Sequence, residues 1–256
     1  METKHQLIEN GHSAFYTDYC LNDFNMDVRR IARMVRKTQV DAWVVVGGSQ
    51  EILEWFAQQP VPSFAFFGRR RNLRMAGAGP DKPPAYASAT RTLLALGHRR
   101  IVLLSHAVRR LPKPGASELA FLEELAAAGI KPGEYHMPDW GETIEGLHAR
   151  LESLFHLTPP TAMIVDTIPL YCAVEEFFAR RGLRVPEDVS LVCADTPDMF
   201  VLRRTPVSHI RWDSRKVVRR VISWAGNISR GRQDFLQTLA KAEFVPGGTI
   251  CKAKKI

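Results

Sequence analysis

The stretch that decides the fold is RGLRVPEDVSLVCAD, residues 181–195. Gly182 follows an amphipathic pattern over Leu170–Arg181, which predicts a helix that ends at this glycine. Pro186 lies in the loop that follows, and Val189–Cys193 is then almost continuously apolar. An apolar run of this length is typical of a strand that is buried on both faces of a parallel sheet. The segment therefore predicts one helix-to-strand step of an α/β fold.

Short apolar runs alternate with amphipathic segments along most of the chain. The other predicted strands are Ala14–Tyr16, Ala42–Val46, Ser63–Phe67, Ile101–Leu104, Ala162–Val165 and Val207–Ile210. The other predicted helices are Met26–Lys37, Ala85–Leu96, Ser117–Ala128, Ile144–Phe155 and Ser214–Ile228. Gly97 is placed to end one of these helices, and Asp213 to cap the start of the last. Alternation of this kind, with short connections, predicts a doubly wound parallel α/β architecture.

The composition is that of an ordinary globular protein. Of 256 residues, 45% are hydrophobic and 24% are charged, which excludes collagen and low-complexity disorder. No apolar run reaches the roughly 18–20 residues that a membrane span needs, and the first residues have no signal-peptide core. The four cysteines are scattered, so we expect reduced thiols in a cytoplasmic protein, with no metal site and no disulfide framework.

The net charge of +8 makes an anionic partner possible, although the charges are spread thinly. The densest cluster is Arg69-Arg70-Arg71 with Arg74, which a solvent-facing loop explains equally well. No helix-turn-helix pattern, zinc-finger spacing or aromatic-basic interleaving accompanies it. The chain therefore shows no element that would read a DNA sequence.

Two further segments match the first in a recognisable way. Residues 95–104 read ALGHRRIVLL and residues 160–166 read PTAMIVD. Together with residues 181–195, they resemble the effector-binding domain of lactose-repressor/galactose-repressor (LacI/GalR) type transcription regulators. That family has L-G-H-R-R-I before one strand, P-T-A before another, and G-x-x-V-P-x-D-V-S before a third. The resemblance covers nearly the whole chain and is most specific in its C-terminal half.

The resemblance implies two doubly wound parallel-sheet subdomains that face a cleft, as in periplasmic-binding-protein-like sensors. The N-terminal subdomain would hold residues 1–100 and about 213–241, and the C-terminal one residues 101–212 and about 242–256. The first strand is expected to be missing, because the first eleven residues resemble the end of the family's first helix. The family's DNA-binding headpiece is also missing, so we expect DNA binding only through a headpiece outside this chain, and a homodimer.

The chain departs from the family at polar positions that contact ligands. Ser117 aligns with an arginine, and Pro84 aligns with an aspartate at the start of a helix. The family's Asn-Asp pair after the P-T-A strand is Thr167-Ile168 here, although Asp166 lies one residue earlier. These differences leave the identity of the effector open.

The candidate ligand-binding residues are Asp195, Trp212, Asp166, Thr167 and Ser117. Apart from Ser117, they come at or just after the carboxyl ends of predicted strands, where open α/β sheets bind ligands. A carboxylate accepts hydrogen bonds from sugar hydroxyls, and an indole packs on a sugar ring. Asp195 corresponds to the family's ligand-binding aspartate; the alternatives are a cap or an ion pair for Asp195 and core packing for Trp212.

Three classes of function follow from these observations. The first is the ligand-sensing and dimerisation domain of a LacI/GalR-like regulator, which would bind a small polar effector, expected to be a carbohydrate, in the cleft. The alternative is the solute-binding protein of a sugar transporter, and the third class is an enzyme on a similar scaffold. No G-x-S-x-G, Walker A, G-x-G-x-x-G or H-E-x-x-H motif is present, so we expect no catalysis and no cofactor.

Overall fold

The computed structural model describes residues 2–196 and 200–254, in which helices and strands follow one another along the chain. In chain order they are α1 (Glu2–Glu9), α2 (Val28–Lys37), β1 (Trp43–Val46), α3 (Gln50–Ala57), β2 (Ser63–Phe66), β3 (Ala76–Asp81), α4 (Pro83–Ala95), β4 (Ile101–Leu104), α5 (Ala107–Arg110), α6 (Ala116–Ala127), α7 (Ile144–Leu157), β5 (Ala162–Val165), α8 (Ile168–Arg180), β6 (Ser190–Cys193), β7 (Ser208–Trp212), α9 (Ser214–Ser229) and β8 (Gln237–Val245).

These elements form two units. Unit 1 comprises the described residues up to Pro80 together with Asp213–Lys241, and unit 2 comprises the other described residues. The hydrogen-bonded strand order is β1-β2-β3-β8-β7-β6-β5-β4. Residues 237–241 of β8 lie in unit 1, and residues 242–245 lie in unit 2. Residues 81–100, which the sequence analysis grouped with the N-terminal subdomain, lie in unit 2.

In unit 2, β4, β5, β6 and β7 are parallel neighbours, and β8 pairs with β7 in the antiparallel sense. Successive side chains along each parallel strand pack in two different hydrophobic cores. Val102 and Leu104 of β4 pack in the core that contains α7 and α8, whereas Ile101 and Leu103 pack in the core that contains α4 and α6. Because the sheet is buried on both faces, its strands must be apolar throughout, and the predicted doubly wound α/β class is confirmed.

In unit 1, β1, β2 and β3 are parallel neighbours. Their core contains Ile31 of α2, Val45 of β1 and Phe56 of α3. The side chain of Asp27 caps α2 by accepting hydrogen bonds from the backbone N–H groups of Arg29 and Arg30. This cap satisfies donors that have no partner within the helix.

The boundaries of most predicted elements are confirmed to within one or two residues, but one predicted strand is wrong, and two strands and the helices α3 and α5 were not predicted. The predicted strand at Ala14–Tyr16 is wrong: the segment is irregular, and Phe15 and Tyr16 are more than half exposed. Strands β3 and β8 form where no strand was predicted. Gly77 of β3 lies against the Arg70 side chain, where an added Cβ would come within 2.5 Å of Cδ.

Candidate functional site

The carboxyl ends of β4, β5, β6 and β7 lie along one edge of the parallel sheet of unit 2. The register pairs Leu104 with Val165, and Val165 with Cys193. Polar residues follow these strands, beginning with His106, Asp166 and Asp195. These strand ends therefore neighbour one another within unit 2, and in open α/β sheets ligands bind at such an edge.

Asp166 follows β5 and is fully buried, with 0% of its side chain exposed. One of its oxygens, Oδ2, lies 2.8 Å from Nε of Arg109, and the other accepts a hydrogen bond from the Tyr86 hydroxyl at 3.2 Å. The Asp166 carboxylate raises the pKa of Arg109. Burial, followed by the Asp166 charge, raises the pKa of Tyr86 well above its usual value. Tyr86 therefore stays a neutral hydrogen-bond donor to Asp166.

Arg109 belongs to α5, the short helix that follows β4. Its side chain is 39% exposed although Nε contacts the buried Asp166. The ion pair holds Nε in place while part of the side chain stays accessible. A guanidinium fixed in this way suits the recognition of polar ligands, because its donors have a rigid planar arrangement.

Asp195 follows β6 and is partly accessible, with 34% of its side chain exposed. Its Oδ1 accepts a hydrogen bond from the backbone N–H of Thr196 at 2.9 Å and lies 3.7 Å from Nζ of Lys82. Lys82, the residue that precedes α4, is buried and donates from Nζ to the carbonyl of Ala194 at 2.7 Å. The lysine therefore fixes the strand end and places a positive charge beside the Asp195 carboxylate.

His106 and Thr167 are also brought together. Nε2 of His106 lies 3.5 Å from Oγ1 of Thr167, and Nδ1 lies 3.5 Å from Oε2 of Glu142. The imidazole packs edge-on against Trp140 at a centroid distance of 5.4 Å. Thr167 is the N-cap residue of α8, but its side chain makes no capping hydrogen bond. Its hydroxyl thus lies next to the imidazole rather than over the helix start.

Trp212 and Ser117 are placed less directly. Trp212 is the last residue of β7, packs half-buried against the core that contains α4 and α6, and donates its backbone N–H to Oγ1 of Thr196 at 3.4 Å. Ser117 is buried in the first turn of α6. Among the residues that the structure describes, Ser117 has no hydrogen bond to the other candidates. In unit 1, Asp213 caps α9 as predicted, accepting from the backbone N–H of Arg215.

The site contains residues that the sequence analysis missed: Lys82, Tyr86, His106, Arg109 and Glu142. His106 comes two residues after β4, so the strand-end rule could have included it. Lys82 directly follows β3, which was not predicted to be a strand. The others reach the edge from α4, α5 and a loop. Within residues 2–196 and 200–254, no three His, Cys, Asp or Glu side chains converge on a point that could hold a metal ion.

The four cysteines, all of which lie in the described part of the chain, are free thiols. Burial raises the pKa of Cys193, in β6, to about 12. In the described residues, no helix is both long enough and apolar enough to cross a membrane.

Comparison with known families gives a match over residues 90–250 to the family described as "Periplasmic binding protein-like domain". This match covers well over half of the chain and includes β4–β7 with the strand ends described above. No curated protein sequence matches the chain.

The fold is similar to several solved structures. A LacI family transcriptional regulator from Enterococcus faecium with bound ribose has a TM-score of 0.77 at 15% identity, over 98% of this chain and 92% of that one. A LacI family transcriptional regulator from Mycobacterium smegmatis has a TM-score of 0.69 at 22% identity, over 88% of this chain and 84% of that one. The lac repressor dimer bound to operator and the anti-inducer ONPF has a TM-score of 0.71 at 17% identity, over 97% of this chain and 87% of that one.

Proposed function

Since this chain belongs to the periplasmic binding protein-like domain family, we propose that it is the effector-sensing domain of a cytoplasmic LacI/GalR-type transcription regulator. The observation that carries the proposal is Asp195, a partly exposed carboxylate at the end of β6 that the buried Lys82 holds in place. It matches the family's ligand-binding aspartate in residue type and in position after the strand. The solved structures of similar fold described above are transcription regulators rather than transporter components, which favours the regulator over a solute-binding protein.

The effector is a small polyhydroxyl molecule, most simply a carbohydrate. The Asp195 carboxylate accepts hydrogen bonds from its hydroxyl groups, and the Arg109 guanidinium donates to its oxygens. Trp212, at the end of β7, covers an apolar face of the ring. A neighbour of the same fold has been solved with ribose, which supports a sugar as the class to test first.

Asp166 and Thr167 have different roles in this proposal. Both carboxylate oxygens of Asp166 have partners within unit 2, Arg109 and Tyr86. Asp166 is therefore a positioning residue that holds the Arg109 side chain in place. Thr167 and His106 form a polar pair beside it that contacts the effector from the end of β5. Ser117 replaces an arginine of the family, so we propose that it enlarges the site rather than gripping the ligand.

The deciding experiment is a thermal-shift screen against monosaccharides and disaccharides, ribose included. A ligand that binds only the folded protein raises its melting temperature. A hydrogen bond to a charged group contributes about 1.5–3 kcal/mol. Asp195→Asn should therefore weaken binding of a hit by about ten- to a hundred-fold, at roughly 1.4 kcal/mol per tenfold.

Two further variants sharpen the test. Trp212→Ala should weaken binding and remove any ligand-induced change in the fluorescence of that residue. Glu176→Gln is the matched control, because Glu176 is an exposed carboxylate of α8 that forms an ion pair with Arg180 in the next turn. If a sugar binds with unchanged affinity to both Asp195→Asn and Trp212→Ala, the proposed site is wrong.

We also propose that the domain dimerises with twofold symmetry and that sequence-specific DNA recognition belongs to a headpiece. Related regulators read operators with half-sites related by symmetry, and a dimer matches that symmetry. Sedimentation at high micromolar concentration should show a dimer. A clean monomer under these conditions would contradict the dimer.

A further inference from the structure

The positive charge of this protein is concentrated in one of its two units. Unit 1 carries 17 Lys and Arg against 10 Asp and Glu, whereas unit 2 carries 18 against 17. Unit 1 therefore holds nearly all of the net charge of +8. The run Arg69-Arg70-Arg71 does not account for it as an open patch, because Arg70 is buried and donates to the carbonyl of Thr238.

Helix α2 of unit 1 concentrates this charge on one face. Its ten residues contain five cations and no acid. The cations are Arg29, Arg30, Arg33, Arg36 and Lys37. At about 100° of rotation per residue, all five project within an arc of about 120°. Each is exposed, whereas Ile31, on the opposite side, is buried in the core of unit 1. We call this surface the α2 basic face.

The α2 basic face is not neutralised within the part of the chain that the structure describes. The ion pairs found there join other cations, such as Arg211 with Glu243 and Arg203 with Glu175, and none involves the five side chains of this face. The nearest acid in sequence, Asp27, accepts hydrogen bonds from backbone N–H groups at the start of α2. The Asp27 carboxylate interacts electrostatically with Arg29 and Arg30. One acid does not balance five cations, which repel one another, and this repulsion is relieved when a polyanion binds.

We propose that the α2 basic face binds the phosphate backbone of duplex DNA without sequence preference, as a contact additional to any headpiece. From Arg29 to Lys37 the face is about 12 Å long, at about 1.5 Å per residue. A duplex of that length carries about seven phosphates. The array of cations therefore matches the charge density of DNA, and contacts from these cations to phosphates carry no sequence information.

The other anionic or self-associating occupants fit less well. A membrane-binding amphipathic helix inserts its apolar face into the lipid, but the apolar face of α2 is already buried in the core of unit 1. A second copy of the chain docked by the same face would place cations against cations. Duplex DNA needs only the exposed positive charge.

The experiment measures binding of this chain to a fluorescein-labelled duplex of about 24 base pairs and mixed sequence, by anisotropy at 50–200 mM KCl. The test variant is Arg29→Gln with Arg33→Gln and Arg36→Gln. The matched control is Lys131→Gln with Arg204→Gln and Lys252→Gln, which removes three exposed cations from unit 2. Each phosphate contact makes the slope of log K against log salt steeper by about 0.9. The slope of the test variant, which lacks three cations, should therefore be shallower by about 2.7.

Over this fourfold range of salt, the affinity of the unaltered chain should fall about 40-fold more than that of the test variant. The control should keep the full slope, and Arg→Lys at the same three positions should retain binding. Circular dichroism melting should show all variants folded, because the altered side chains are exposed. A second pair, Arg30→Gln with Lys37→Gln, should lower the slope by about 1.8.

Three results would overturn the proposal: no binding at 50 mM KCl, equal losses in the test and control variants, or α2-dependent binding to phosphatidylserine vesicles with none to the duplex. These results do not bear on the effector site, because the proposed effector contacts lie in unit 2 and are tested by sugar binding.

Discussion

Removing the Arg109 guanidinium should destabilise unit 2 more than removing the Asp166 carboxylate that it pairs with. In Arg109→Met, the Asp166 carboxylate stays fully buried and loses its counter-ion 2.8 Å away. Breaking a buried ion pair from one side costs about 3–5 kcal/mol. In Asp166→Asn, the Arg109 side chain that remains is 39% exposed. Water partly solvates it, so we expect a smaller cost of about 1.5–3 kcal/mol, that of a hydrogen bond to a charged group.

The two changes should not add, because they remove the same interaction. The double variant should be no less stable than Arg109→Met, so the coupling energy equals roughly the Asp166→Asn cost. Differential scanning calorimetry measures the effect as a melting temperature, at about 2–4 °C per kcal/mol for a protein of this size. We therefore expect a fall of about 6–20 °C for Arg109→Met.

The control is Glu176→Gln, which breaks the exposed pair between Glu176 and Arg180. Exposed pairs contribute about 0–1 kcal/mol, so the melting temperature of this variant should fall by no more than about 4 °C. If Arg109→Met melts within that margin, or if the costs of the two single variants add fully, the buried pair does not anchor this edge of the sheet.

Two further predictions concern the scaffold of unit 2. His98 hydrogen-bonds through Nε2 to the carbonyl of Cys251, and burial lowers its pKa. The contribution of neutral His98 to stability is therefore complete above the pKa of a histidine in the unfolded chain, about 6.5, and is lost as the pH falls below that pKa. Urea denaturation from pH 7.5 to pH 5 should show a smaller loss of stability in His98→Gln than in the unaltered chain, and parallel losses would contradict this. A Cβ at Gly247 would lie 2.4 Å from the carbonyl oxygen of Pro206, whereas Gly133 faces open space. Gly247→Ala should therefore lower the free energy of unfolding by about 1–3 kcal/mol in the same assay, whereas Gly133→Ala should change it little. Equal effects of the two substitutions would contradict this prediction.

Much of the fold of unit 2 follows from local sequence. The predicted bounds of β4 and β5, Ile101–Leu104 and Ala162–Val165, are those of the structure. Strands buried on both faces must be apolar at every position, and turn residues flank them, so pattern alone identifies them. The prediction at Ala14–Tyr16 used the same kind of pattern and was wrong, because a short apolar segment becomes a strand only where a neighbouring strand accepts its hydrogen bonds.

Strands β3 and β8 show what pattern does not reveal. The sequence of β3, AGAGPD, contains two glycines and a proline and no β-branched residue, so its strand propensity is low. Its conformation depends on pairing with β2, where Ala76 is opposite Phe64. In β8, only Ala240 and Ala242 are buried, and several of the other residues are exposed. Its pairing with β7 is a long-range contact that the composition of β8 does not encode.

The candidate site divides in the same way. The positions of Asp166, Thr167 and Asp195 follow from the sequence, because each comes directly after, or within two residues of, a strand whose end local pattern locates. Their partners do not follow from it: 80 residues separate Tyr86 from Asp166, and 112 separate Lys82 from the carbonyl of Ala194. Whether residues so far apart in sequence meet in space depends on how α4 packs against the sheet. Tertiary packing therefore decides which carboxylate is buried against a guanidinium and which stays accessible to a ligand, because charge pairing and desolvation depend on neighbours in space rather than in sequence.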